Sequence, residues 1–222
     1  MRTVIGIAGV KTSGKSTVTK MIQEQLKGAT ESALAGKLKD VSAEVFGITR
    51  DQLDLQELKE VPFDEPKILT KESIGQVLLR FNVVDEDNYR TIMEKYKSII
   101  GMKLETPRKI AQIVGTEILR ATGDEDIHCK NMPLNPNAEL PTIVSDLRFP
   151  NEFTYFKNNP EIKFVGLYLN REEAEKHVTK DSHPSETSVF LFNDKCVRID
   201  NNGSLANTNE QVVNALKESG VL

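Results

Sequence analysis

Tryptophan is absent from this chain, and cysteine and histidine are scarce, with two and three residues among 222. The cysteines, Cys129 and Cys196, have neither the spacing of metal ligands nor the density of a disulfide scaffold. The three histidines also lack ligand-like spacing, so no zinc site is expected. A reducing, cytoplasmic setting is the simplest expectation.

Long apolar runs and an excess of positive charge are also missing. No apolar stretch approaches the roughly 20 residues that a membrane helix needs. The net charge of -4 provides no general attraction to nucleic acid, so we expect neither a membrane nor a nucleic-acid partner. The first strand-like run follows residue 3 directly, which argues against a signal peptide. The length and the ordinary composition, 38% hydrophobic and 28% charged, predict a single domain over 1–222.

The strongest motif lies near the start of the chain. Residues 9–16 match the phosphate-loop pattern G-x-x-x-x-G-K-[ST] at every required position. An apolar run at 4–8 precedes them as a buried strand would, and helical periodicity follows at 17–26. Such a strand, loop and helix form an anion site, in which Lys15 reaches the β- and γ-phosphates and the Ser16 hydroxyl binds Mg²⁺. The residues expected to contact ATP are Val10, Lys11, Thr12, Ser13, Gly14, Lys15, Ser16 and Thr17.

A later apolar strand, from residue 142, runs into Asp146. A strand-end carboxylate is the usual second half of a phosphate-loop site, where it holds Mg²⁺ or its water. Arg148 comes two residues later and therefore lies on the same side of the strand end. Its guanidinium can clamp a phosphate through two hydrogen bonds, and a simple salt bridge at the strand end is the alternative.

Two further segments carry polar residues suited to an acceptor substrate. A short strand at 29–35 leads to a small-residue turn with Lys37 and Asp40, which is either a substrate-phosphate corner or a solvated helix start. Thr106 and Pro107 predict the start of another helix, as a hydroxyl N-cap followed by proline. The residues that flank the core face of that helix are Arg108, Gln112, Gly115, Thr116 and Arg120. Gly115 indicates close approach of either a substrate or a packed helix.

The rest of the chain completes an α/β pattern. Residues 48–105 read as a mostly helical insertion with a solvated acidic run at 85–87, and 124–139 as a loop. Residues 171–186, with Arg171 at the hinge and His183 within, suit a mobile lid. Two more strands and a closing helix are expected at 163–169, 196–200 and 207–216. The prediction is a three-layer sheet of about five parallel strands, with ligand at their carboxyl ends and Mg²⁺-nucleotide phosphoryl chemistry.

Six sequence blocks resemble the deoxynucleoside monophosphate kinases of tailed bacteriophages, a family with the fold of the phosphate-loop kinases. The blocks keep their order along the whole chain. They are GVKTSGK at 9–15, LAGKLKD at 34–40, RKIAQIVGTE at 108–117, SDLRFPNE at 145–152, SHPSE at 182–186 and IDNNGSL at 199–205. The first is general to phosphate-loop proteins, whereas the aspartate–arginine block and the Q-x-x-G-T-E block are much more specific.

The resemblance implies transfer of the γ-phosphoryl of ATP to a deoxynucleoside 5′-monophosphate, in a bacterial host's cytoplasm if the chain is phage-encoded. It implies that Lys15 and Ser16 serve ATP and Mg²⁺, that Asp146 lies in the outer shell of the metal, and that Arg148 and Arg171 neutralise the transferred group. Residues around the acceptor would be Lys37, Arg108, Gln112, Thr116 and Arg120, with Asp40 in the same block as Lys37. The turn of Asn201, Asn202 and Gly203 would pass near adenine. Whether the chain is a monomer or a homodimer stays open.

Two other functions fit parts of the pattern. One is another small-molecule phosphate-loop kinase, such as one acting on dephospho-coenzyme A; the 48–105 insertion and the Gln112–Glu117 block favour a nucleotide acceptor instead. The other is a switch that binds ATP or GTP without transferring phosphate. The chain lacks the N-K-x-D guanine motif, and an arginine beside the strand-end aspartate is more useful to a kinase.

Overall fold

A computed structural model describes residues 1–84, 88–179, 182 and 184–222. His183 and two other positions of the predicted lid, 180 and 181, lie outside the described residues, as does the acidic run at 85–87. No helix in the described ranges is both long enough and apolar enough to cross a membrane.

Secondary structure within these ranges follows the predicted alternation. The strands are β1 (Arg2–Ala8), β2 (Thr30–Ser32), β3 (Lys67–Ile68), β4 (Lys103–Leu104), β5 (Thr142–Leu147), β6 (Ile162–Asn170) and β7 (Val197–Asp200). The α-helices are α1 (Lys15–Gln25), α2 (Gly36–Phe46), α3 (Arg50–Asp54), α4 (Lys71–Arg80), α5 (Tyr89–Glu94), α6 (Pro107–Gln112), α7 (Ile127–Lys130), α8 (Pro150–Asn158), α9 (Glu172–Glu175), α10 (Pro184–Thr187) and α11 (Leu205–Glu218). A π-helical segment (Ile113–Leu119) and 3₁₀ turns (Arg120–Thr122, Ser188–Phe192) complete the set.

The chain divides into two compact units. The first combines Met1–Leu34 with Met132–Leu222, and the second is the continuous segment Ala35–Asn131. The single domain expected over 1–222 stays a prediction.

A five-stranded sheet in the order β2-β5-β1-β6-β7 forms the first unit, and every neighbouring pair is parallel. Ile5 pairs in register with Ile143 of β5 and Val165 of β6, and all three join a core that also contains residues of α1 and α11. Phe164, one residue before Val165, points to the opposite face and stacks on Phe156 of α8 at 5.7 Å. Helices therefore cover both faces, and the predicted three-layer α/β fold is confirmed.

The second unit has a core of its own. Leu38, Leu78, Tyr96 and Ile118 are among its buried members, which come from α2, α4, the segment after α5 and the π-helical segment. The described part of the predicted insertion at 48–105 contributes the three helices α3, α4 and α5. It also holds strand β3, which pairs with β4 in an antiparallel ladder of two residues per strand. Strands this short carry no alternating pattern, so periodicity does not reveal them.

Helix boundaries follow the local signals with one exception. The Thr106 hydroxyl accepts the Lys109 N–H at 3.1 Å, as expected of an N-cap, and Gly47 ends α2 with a φ of 61°. The predicted loop at 124–139 was wrong in part, because residues Ile127–Lys130 form α7. Its single turn is anchored by Asp124, whose carboxylate accepts the Asp126 N–H at 3.1 Å. One turn is too short for a periodic signal.

Candidate active site

The phosphate loop connects the end of β1 to the start of α1, at the carboxyl edge of the parallel sheet. Gly9, Thr12 and Gly14 have φ values of 156°, 63° and 99°. Thr12 is β-branched, and holding such a residue in the left-handed region costs on the order of 1–2 kcal/mol. The first N–H groups of α1 have no acceptor within the helix. The loop is therefore a strained turn whose backbone donors suit an anion.

Side chains hold the carbonyl groups of this loop. The Lys15 ammonium donates to the carbonyls of Gly9 and Val10, both at 2.7 Å. Arg171 Nη1 donates to the Thr12 carbonyl at 3.3 Å, and Asn201 Nδ2 donates to the Ser13 carbonyl at 2.7 Å. These contacts engage the carbonyls of Gly9, Val10, Thr12 and Ser13.

Lys15 lies in an unfavourable environment for a cation. The pKa of its ammonium is lowered to about 8, mainly by burial and next by the Arg148 guanidinium, although Glu186 and Asp146 oppose the shift. Two cations held close together at a loop of N–H donors repel each other until an anion of high charge joins them. The arrangement suits a polyphosphate.

Asp146 and Arg148 occupy the end of β5 and the turn after it. Asp146 Oδ1 accepts the Leu34 N–H at 2.8 Å, next to the end of β2. The N–H groups of Arg148 and Phe149 both donate to the buried carboxylate of Glu152, at 2.7 and 2.9 Å. Glu152 thus fixes the backbone from which the Arg148 side chain extends.

Glu186 is a site residue that sequence reasoning left without a role. Its Oε2 accepts the Lys11 N–H of the phosphate loop at 3.0 Å, and its Oε1 lies 3.6 Å from Arg148 Nη1. A carboxylate thus takes up the hydrogen-bond donor and the cation that a phosphate would use. The SHPSE block, which ends at Glu186, is the one signal that could have pointed to it.

The turn predicted near adenine follows β7. Asn202 Nδ2 donates to Asp200 Oδ1 at 2.6 Å and to Asn170 Oδ1 at 3.2 Å, and Asn202 Oδ1 accepts the Glu172 N–H at 2.8 Å. Asn202 therefore joins this turn to the end of β6 and the start of α9. Gly203 is exposed. Contact of Asn201, Asn202 and Gly203 with adenine stays a prediction.

The donor atoms at this loop are of the chemical types that bind Mg²⁺ and ATP. The buried Ser13 Oγ has no hydrogen-bond partner within the described part of the chain. Ser16 is exposed at the start of α1, and its hydroxyl and the Asp146 carboxylate are hard oxygen donors. Mg²⁺ in nucleotide sites is bound by only one or two such side chains together with phosphate oxygens. The described residues contain no cluster of three or more His, Cys, Asp or Glu suited to a metal.

All candidate acceptor residues belong to the second unit. Lys37 Nζ donates to Asn131 Oδ1 at 2.6 Å and lies 4.9 Å from the centre of the Phe81 ring. Asp40 is paired with Arg50, and Arg108 with Glu60. These ion pairs are exposed and hence weak, so they leave both side chains able to exchange partners.

One continuous helical stretch changes its geometry along its length and carries Gln112, Thr116 and Arg120. Gln112 ends α6, Thr116 is an exposed residue of the π-helical segment, and Arg120 begins a 3₁₀ turn. π-helical turns inside helices occur frequently at functional sites. A Cβ on Gly115 would come within 2.9 Å of Leu38 Cδ1, so close contact with α2 accounts for this glycine without a substrate.

Comparison with known proteins assigns no family. No family model matches the chain, and no curated protein matches it. Among solved structures, a dephospho-CoA kinase from Campylobacter jejuni is similar at 13% identity, with a TM-score of 0.36, over 97% of this chain and 96% of that chain. A likeness at this identity and TM-score determines neither substrate nor activity.

Proposed function

We propose that the protein is a kinase that transfers the γ-phosphoryl group of ATP to a small-molecule acceptor. The observation that carries the proposal is the strained loop of N–H donors with Lys15 bonded to its carbonyls, beside which Glu186 contacts both the Lys11 N–H and the Arg148 guanidinium. A parallel sheet binds its ligands at the carboxyl ends of its strands, where this loop lies. The N–H groups of the loop and Lys15 bind the phosphates of the donor nucleotide, and Arg148 stabilises the phosphoryl group during its transfer.

The acceptor that we propose is a deoxynucleoside 5′-monophosphate, which becomes the diphosphate. The specific blocks at 108–117 and 145–152 support this choice, because they resemble the bacteriophage kinases and contain Arg108, Gln112, Thr116 and Arg148. Lys37 and Arg108 offer positive charge for the acceptor phosphate, and Arg120 extends the same helical stretch. Asp40 is proposed to contact the acceptor from α2.

The chemistry needs alignment more than proton transfer. The attacking oxygen of a monophosphate is already ionised near neutral pH, so no general base is required. The main barrier is repulsion between two anions, which Lys15, Arg148 and Arg171 offset with fixed positive charge. Mg²⁺, which Ser16 and Asp146 are proposed to hold directly or through water, neutralises further phosphate charge when bound.

Dephospho-CoA is a second candidate acceptor, named by the similar solved structure. It is phosphorylated on a hydroxyl, which must lose its proton during transfer. That reaction calls for a carboxylate at the acceptor oxygen, and Asp146 is the residue in the first unit that suits this role.

An acceptor panel tests the proposal. ADP release is measured with ATP and Mg²⁺ in the presence of each deoxy- and ribonucleoside monophosphate, of dephospho-CoA, or of water alone. The expected result is ADP formation that depends on at least one deoxynucleoside monophosphate, with the matching diphosphate as product. Turnover with dephospho-CoA alone would mean that dephospho-CoA is the acceptor and that a deoxynucleoside monophosphate is not. ATP hydrolysis that is equally fast without any acceptor would support a nucleotide-dependent switch.

A further inference from the structure

The turn after β7 reaches the phosphate loop through one side chain. Asn201 Nδ2 donates to the Ser13 carbonyl at 2.7 Å, across 188 positions of sequence. The backbone N–H of Asn201 donates to the Asn170 carbonyl at 2.9 Å, which ties the residue to the end of β6. Gly14 fits against the same amide group: a Cβ at Gly14 would collide with Asn201 Nδ2.

A buried hydroxyl sets the orientation of the Asn201 amide. Thr208 Oγ1 donates to Asn201 Oδ1 at 2.9 Å, and Thr208 is fully buried on α11. The Ser13 carbonyl can only accept, so the nitrogen of the amide faces it, and the amide oxygen accepts from Thr208. Thr208 holds the amide in this orientation, because turning it over would lose the hydrogen bond to Ser13 and would require the Thr208 hydroxyl to accept instead of donate.

The consequence for the loop follows from the geometry of the peptide group. The unit that joins Ser13 to Gly14 is planar and trans, so its carbonyl and its N–H point in opposite directions. With the Ser13 carbonyl held by Asn201, the Gly14 N–H points away from Asn201. In phosphate loops the N–H groups of the loop cradle the phosphates. Releasing the carbonyl would allow this peptide to rotate and remove one donor from the cradle.

We propose that Asn201 is a positioning residue for polyphosphate binding, oriented by Thr208, that aims the Gly14 N–H into the phosphate loop. The inference rests on the proposed use of this loop for ATP. It gives Asn201 a role that does not require contact with adenine. Tripolyphosphate has no adenine, and so it separates the two roles.

The experiment compares dissociation constants for ATP and for inorganic tripolyphosphate, each with Mg²⁺, by calorimetry at fixed pH and ionic strength. For Asn201→Ala we expect about tenfold weaker binding of both ligands, the size of one lost hydrogen bond. Thr208→Val keeps the shape of the side chain and removes its donor, and about threefold weaker binding of both is expected. Asn214→Ala, an exposed substitution of the same kind on α11, is the control and is expected to change neither.

Three results would overturn the inference. The first is weaker ATP binding with unchanged tripolyphosphate binding in Asn201→Ala, which would make Asn201 an adenine contact. The second is unchanged binding of both ligands in that variant, and the third is no tripolyphosphate binding by the unaltered chain. If Asn201→Ala does not fold, Asn201→Leu is used instead: it is similar in size, adds no charge and loses the donor, and the same loss is expected. Binding of tripolyphosphate involves no acceptor, so failure of the acceptor panel leaves this test intact.

Discussion

Lys15 makes the affinity for ATP depend on pH. In the free protein the pKa of Lys15 is lowered to about 8, mainly by burial, and a bound polyanion raises it again. Above pH 8 the free protein has lost a proton that the complex retains, so binding must take up that proton. We therefore expect the dissociation constant to rise with pH above 8, by at most about tenfold per unit.

Titration calorimetry between pH 7 and 9.5 measures this effect, and buffers of different ionisation enthalpy report the proton uptake. Lys15→Arg is the matched control, because its guanidinium stays charged throughout and its profile is expected to be flat. A flat profile in the unaltered chain would contradict the shifted pKa.

Arg148 and Arg171 are expected to act on the transfer step. Arg148→Ala and Arg171→Ala should each lower kcat by about 10³-fold, while the dissociation constant for ATP changes far less, because the transferred group gains charge only in the transition state. Steady-state kinetics with separate nucleotide titrations measure both quantities. Arg198→Ala, at an exposed position on β7, is the control. Near-normal kcat in both variants would show that neither arginine stabilises the transferred phosphoryl group.

Glu186 competes with phosphate for the loop. Its carboxylate takes the Lys11 N–H and lies beside Arg148. A neutral amide holds these donors less strongly, so Glu186→Gln is expected to bind ATP about three- to tenfold more tightly. The measurement is made at pH 6.5, where Lys15 carries its charge, with the exposed Glu173→Gln as control. Weaker binding by Glu186→Gln would mean that the carboxylate supports the nucleotide.

Sequence reasoning identified Lys15, Asp146 and Arg148 because each belongs to a contiguous motif with a known chemical use. It gave Glu186 no role and assigned Asn201 to adenine. The contacts of these two side chains with the loop span 175 and 188 positions, and no local pattern encodes contacts of that range.

At the level of secondary structure, α8 depends on Glu152. The buried carboxylate accepts two backbone N–H groups at the start of this helix. Glu152→Ala leaves both donors without that acceptor, at a cost of about 2–3 kcal/mol, which lowers Tm by roughly 5–10 °C in a chain of this size. Glu152→Gln keeps an oxygen in place and should lose less.

Thermal unfolding followed by circular dichroism measures these changes. Thr154→Ala, two residues later in α8, removes a hydroxyl that donates to the Pro150 carbonyl at 2.9 Å in an exposed position. It serves as the control and should shift Tm by less than about 2 °C. Equal Tm values for Glu152→Ala and Thr154→Ala would show that the carboxylate does not stabilise the helix.

Long elements with a buried face were predictable, and short ones were not. Strands β1, β5 and β6 and helices α2 and α11 have apolar runs, periodic faces or cap residues that fix their type. Strand β3, with two residues, and α7, with four, lack such patterns. The π-helical turn at Ile113–Leu119 was read as ordinary helix, because its apolar spacing differs little from that of an α-helix over seven residues.

At the level of the whole molecule, the second unit is a continuous segment with its own core. Among its described residues, 18 buried hydrophobic side chains form one cluster within Ala35–Asn131. We therefore expect a chain of residues 35–131 to be helical and to unfold cooperatively on its own. Circular dichroism and amide dispersion in NMR spectra measure this. Leu78→Asp, which puts a charge into the cluster, is the control that should abolish folding, and a non-cooperative melt of the unaltered segment would contradict the expectation.

The phosphate loop draws its supports from far apart in the chain: residues 9–15, Arg148, Arg171, Glu186 and Asn201. During synthesis, a chain that ends before β7 lacks both Asn201 and the strand that pairs with β6. Pairings of such long range form late in folding. Under the proposed function, the fraction of molecules in a preparation that bind nucleotide then reports the fraction in which the first unit has folded completely.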